Sequence, residues 1–102
     1  MSVSALGAGL SGMLGYQRAL DVSAHNVANT LTSGFRARQP DFSEGTPPGS
    51  GVRVAPSASS SEGTQIETEM VGQLIYKAGF QASAKVVSTA DQMLGALIDI
   101  KA

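Results

Sequence analysis

Apolar residues recur along the first third of the chain at Val3, Leu6, Leu10, Met13, Leu20, Ala24, Val27 and Leu31. The steps alternate between three and four, with polar Gln17 as the one interruption of the stripe. That spacing predicts a coiled-coil seam on a helix of about four heptads. At roughly 1.5 Å per residue such a helix runs about 43 Å. A second stripe at the same spacing is small: Ala5, Ala8, Gly12, Gly15 and Ala19. Small side chains on one helical face let another backbone come close. Thr32-Ser33-Gly34 then supplies the stop, since glycine suits the left-handed position after a helix end.

Beyond that stop the pattern dissolves into Gly, Ser, Pro and Thr, with Pro40, Pro47-Pro48 and a serine-rich run over 57–61. Helix is not expected there. The single alternation Val52-Arg53-Val54 is the one candidate strand, and a lone short strand is marginal. Periodicity returns after Thr64-Gln65-Ile66-Glu67, a capping-box pattern. Val71, Ile75, Ala78, Ala82, Val86, Ala90, Met93, Leu97 and Ile100 form a stripe flanked by Met70, Leu74, Phe80, Ala84, Val87, Leu94 and Ile98. This predicts a helix of about 35 residues with a wide apolar face.

The expected fold is therefore all-α. Two long helices, over 1–33 and 64–102, form an antiparallel hairpin or coiled coil. Between them a Gly/Ser/Pro-rich loop over 34–63 has room for one short strand. Two helices alone have no inside, so one side of each apolar face is left needing a partner. Gly7, Gly9, Gly12 and Gly15 each cost a helix about 1 kcal/mol relative to Ala. The ends are thus expected to be weakly ordered in the monomer and to become ordered on assembly.

Composition narrows the function. Net charge is −1, which gives no field for nucleic acid or an anionic membrane surface. There is no cysteine, so disulfides, thiol catalysis and cysteine-ligated zinc are excluded. One histidine provides neither a histidine metal site nor a catalytic triad with a spare base. No catalytic, cofactor-binding or metal residues are assigned, and an enzyme is not expected. The first seventeen residues lack the charged start and dense apolar stretch of a secretory signal, and are too interrupted for a transmembrane helix. Export, if it occurs, is expected to use a route without a cleaved signal.

The run Leu20-Asp21-Val22-Ser23-Ala24-His25-Asn26-Val27-Ala28-Asn29-Thr30-Leu31-Thr32-Ser33-Gly34-Phe35-Arg36-Ala37 resembles the N-terminal signature of the bacterial flagellar rod and hook axial proteins. Its core reads Asn-Asn-x-Ala-Asn-x-x-Thr-x-Gly-[Phe/Tyr], with His25 in place of the first Asn. The stretch from Glu69 through Phe80 and Gln81 to Leu94 is similar to that family's C-terminal motif. It departs at Lys77-Ala78-Gly79 and Ser83, and the middle is short. The resemblance implies a minimal rod-type structural subunit of the basal body, in the periplasmic rod. Such a subunit polymerises through its terminal helices around the export channel. The implied partners are other rod and hook axial proteins, copies of itself and the flagellar type III export apparatus. A free helical-hairpin module, an adaptor or export chaperone, is the competing class.

The resemblance marks Asn26, Asn29, Gly34, Phe35, Phe80, Gln81, Lys85, Thr89 and Asp91 as motif residues. The expected interface seam comprises Leu6, Leu10, Met13, Leu20, Val27 and Leu31 with Val71, Ile75, Val86, Met93 and Leu97. Asn26 and Asn29 either cap a fraying helix end or bond neighbouring backbone or an adjacent subunit. Gly34 reads as a positive-φ requirement and Phe35 as an anchor for the loop. His25 reads as a solvated side chain before it reads as a pH switch. Gln17 and Lys85 either set register or lie at a helix edge.

Overall fold

The computed structural model describes residues 2–46, 50–59 and 61–101, the side chains at 2, 3, 100 and 101 excepted. The side chains of Val3 and Ile100, together with Pro47-Pro48 and Ser60, lie outside what is described. The chain runs α1 (Ser2–Ala28), β1 (Arg38–Glu44), β2 (Val52–Ala58) and α2 (Ile66–Lys101). The strands pair antiparallel, from Arg38 opposite Ala58 to Glu44 opposite Val52. The all-α expectation is thereby corrected: the molecule is a mixed α/β fold of two helices and a two-stranded sheet.

The missed element is β1, whose sequence Arg-Gln-Pro-Asp-Phe-Ser-Glu carries few strand formers. Pairing and packing make it a strand all the same. Pro40 faces Pro56 across the sheet. Gly45 N donates to Gly51 O at 2.8 Å and Ser59 N to Ala37 O at 2.9 Å, which fixes the ladder's parity. The proline pair therefore falls on a non-hydrogen-bonded position, where an N–H would point away from the partner strand. Phe42, Val52 and Val54 then share the face turned towards α1, and Val54 is buried.

Helix α1 ends earlier than the apolar stripe predicts. Asn29 donates from both its backbone N and its Nδ2 to His25 O, at 3.1 and 2.9 Å. Thr30 Oγ1 donates to Val27 O at 2.7 Å, and Thr32 Oγ1 to Asn29 Oδ1 at 3.0 Å. These side chains take over the carbonyls that a continuing helix would use. Gly34 follows with φ +75°. Leu31 is left in the turn, 97% exposed.

The helices lie antiparallel, but the seam between them is not the leucine stripe. It is the small and polar face: Gly9, Gly12, Tyr16, Ala19, Ser23 and Asn26 of α1 against Glu69, Gln73, Gly79, Ser83, Val87 and Ala90 of α2. A Cβ at Gly9 would lie 2.8 Å from Val87 Cγ2 and 3.2 Å from the Ser83 carbonyl oxygen, so the backbones themselves are close. Gln73 Nε2 donates to Ser23 Oγ at 3.0 Å across the seam. The Tyr16 ring lies where a Cβ on Gly79 would be. The coiled-coil expectation is therefore corrected. Leucine knobs would hold two helices at the usual 8–10 Å interaxial distance, whereas glycine and serine admit a closer approach that also carries hydrogen bonds.

The hairpin rests on α1. Ser11 Oγ accepts from Val52 N and donates to Val52 O, both at 2.8 Å. Gly15 leaves room for the Val52 and Val54 methyls. Phe42 inserts between Tyr16 and Tyr76, with ring centroids 5.5 and 6.3 Å away. The result is an elongated body of 63 × 25 × 14 Å. Among the described residues, no helix is long and apolar enough to cross a membrane.

Candidate assembly surface

Asn26 closes one end of the molecule. It is 1% exposed, and its amide serves both neighbours at once. Nδ2 donates to Arg38 O at 2.7 Å and to Glu69 Oε2 at 3.1 Å, while Oδ1 accepts from Arg38 N at 2.8 Å. Its own carbonyl accepts from Thr64 Oγ1 at 3.0 Å. Thr64 thus ties the approach to α2 onto α1, and the helix itself begins at Ile66. Gly63 N donates to Phe35 O at 2.8 Å beside the parallel bridge between Arg36 and Gly63. One asparagine therefore holds α1, β1 and α2 in register. Above it, burial and the negative Glu69 push the Tyr76 phenol upward from its ordinary value.

With the inner seam built from small and polar groups, the large apolar residues point outward. On α1, Leu10, Leu14 and Val27 are exposed, and Leu6, Met13 and Leu20 are half-buried. On α2, Met70, Val71, Leu74, Ile75, Val86, Met93, Leu97 and Ile98 are exposed. These residues line both helices over most of their length, far beyond the scattered apolar exposure normal for a monomer surface.

Residues 56–100 match the family described as flagellar basal body rod FlgEFG protein C-terminal. That segment is similar to the C-terminal region of flagellar basal-body rod proteins. The match begins within β2 and takes in nearly all of α2. No curated relative matches the chain. A match to a basal-body rod family points to a structural role for the matched segment.

The rod-motif residues fall in two separate places. Asn26, Asn29, Gly34 and Phe35 gather at the closed end, where Phe35 meets the edge of the exposed His25 ring at 5.6 Å. Phe80 is half-buried along α2, while Gln81, Lys85, Thr89 and Asp91 are exposed on it, away from the first group. Gln17 and Lys85 are both exposed and lie outside the inner seam. Of the expected seam, Leu10, Val27, Leu31, Val71, Ile75, Val86, Met93 and Leu97 are exposed and Leu6, Met13 and Leu20 half-buried. Sequence reasoning missed Ser23, Glu69, Gln73 and the Tyr16–Gly79 pair. For Ser23 a signal was available, since it continues the small-residue stripe of α1 four residues after Ala19, but polar residues are not counted when a core is sought.

Proposed function

We propose that this chain is a structural subunit of the flagellar basal-body rod that polymerises through its terminal helices, with copies of itself and with other axial proteins, around the export channel. It leaves the cytoplasm through the flagellar type III apparatus. The supporting observation is the inversion of the helix faces: the small and polar sides are spent on the chain's own contacts, and the leucine-rich sides are left for neighbours. Burying such side chains contributes about 1.5–3 kcal/mol each, so their exposure favours association strongly. The motif end, locked by Asn26, then acts as a rigid reference for how the two helices present those sides.

Sedimentation over a wide concentration range tests this reading, together with electron microscopy of basal bodies from a strain lacking the gene. Open-ended growth with concentration and truncated rods are expected. A discrete dimer or four-helix bundle at every concentration, or intact rods in the deletion strain, overturns it.

A further inference from the structure

We propose that an exposed groove beside Leu74 receives the last turns of α2 from a second copy, joining copies head to tail. This rests on the polymerising role above and specifies its contact. The groove has a volume of about 380 Å³ and is lined by Leu20, Met70, Gln73, Leu74 and Lys77. Leu74 is 68% exposed. The groove lies towards the end of the molecule where α1 finishes and α2 begins.

The opposite end supplies the occupant. Helix α2 has 36 residues and α1 has 27. Gly9 faces Val87 and Asn26 bonds Glu69, so the two helices run antiparallel and the last turns of α2 lie beyond the Gly9 contact. At 1.5 Å per residue they are roughly 36 Å along the helix from Leu74. Leu97 and Ile98 are exposed on it, with Asp99 beside them. A groove with apolar walls and a lysine meets an apolar ridge with an aspartate. Opposite charge at matched positions fixes register between partners.

The two features sit at opposite ends of a body 63 Å long, so they cannot meet in one chain. They can meet only between copies, and the contact uses a different surface on each. Such a contact propagates from copy to copy unless two antiparallel copies exchange it reciprocally, and a discrete dimer of that kind overturns the head-to-tail arrangement.

The chain contains no cysteine, so single cysteines report proximity cleanly. A mixture of Leu74→Cys and Ile98→Cys chains, oxidised at an assembling concentration, is expected to give mixed disulfide pairs, while each variant alone does not pair. Lys77→Glu and Asp99→Lys should each raise the concentration needed for half-assembly by about tenfold, and a chain carrying both should recover. Wild-type assembly without the mixed pair, or self-pairing of Leu74→Cys, overturns the head-to-tail contact and leaves the polymerising role standing. A wild-type chain that never associates overturns both.

Discussion

Asn26 bonds at once to the backbone of β1 and to the carboxylate of α2. Removing it strands the Arg38 N–H and C=O and leaves Glu69, itself buried, without that donor. A buried group deprived of its partner costs about 1–3 kcal/mol. Asn26→Ala should therefore destabilise the fold by about 2–4 kcal/mol in urea unfolding. An unchanged midpoint would show that the amide is not the lock described. Tyr76 offers a pH test. Its proton is held more tightly in the folded chain than in the unfolded one, because burial and Glu69 both disfavour the phenolate. Its contribution is complete below the ordinary value near 10 and is lost as pH rises through the folded value. The thermal midpoint should fall on the alkaline side, and Tyr76→Phe should flatten that fall. Phenolate absorbance followed alongside checks the assignment.

The two helices show which glycines matter and which do not. Gly79 lies under the Tyr16 ring, whereas Gly95 has open space around it. Alanine at 79 must displace an aromatic side chain wedged against Phe42, and overpacking of that kind costs about 1–3 kcal/mol. That outweighs the gain of about 1 kcal/mol in helix propensity, so Gly79→Ala should destabilise. Gly95→Ala meets nothing and should stabilise by up to about 1 kcal/mol. Urea unfolding of both variants checks the sign of each.

The same contrast explains what the sequence disclosed. Both helices were legible, because a three-four spacing repeats for many turns. Their mutual orientation was not. Leu10 and Val27 look like a seam by every rule of hydrophobic patterning, yet they face outward, and Ser23 and Gln73 meet instead. The rules assume that apolar stripes are buried within the chain that carries them. Strand β1 was hidden for a different reason: Pro40 and Asp41 oppose strand formation locally, and pairing with β2, the Asn26 bonds to Arg38 and packing of Phe42 against Tyr16 and Tyr76 override them. At the motif end, the glycine turn was readable from Gly34, but the threefold bonding of Asn26 depends on residues 12 and 43 positions away.

At the scale of the whole molecule, buried apolar content is small. Among the described residues the buried hydrophobic positions are Ala19, Ala37, Val54 and Ala90. A body 14 Å across in its thinnest direction has little interior to fill. Stability should therefore depend on neighbours. Anything that binds the native form raises its apparent stability by mass action, and copies of the chain are such ligands. The thermal midpoint should climb with protein concentration, and differential scanning calorimetry across a hundredfold range would show it. A midpoint independent of concentration would mean that each molecule is self-sufficient.

The facing prolines of the hairpin have a consequence for a chain meant to be crowded among its own kind. A ribbon of two strands presents two borders, bonded here at Arg38 by Asn26 and at Val52 by Ser11, and open stretches of such borders recruit foreign strands into cross-β growth. Pro40 and Pro56 strike out the amide donor in the middle of each border, so an incoming strand would find its ladder broken at the centre. The ribbon can lie near its counterparts in a dense array without zipping onto them, and association is left to the helices.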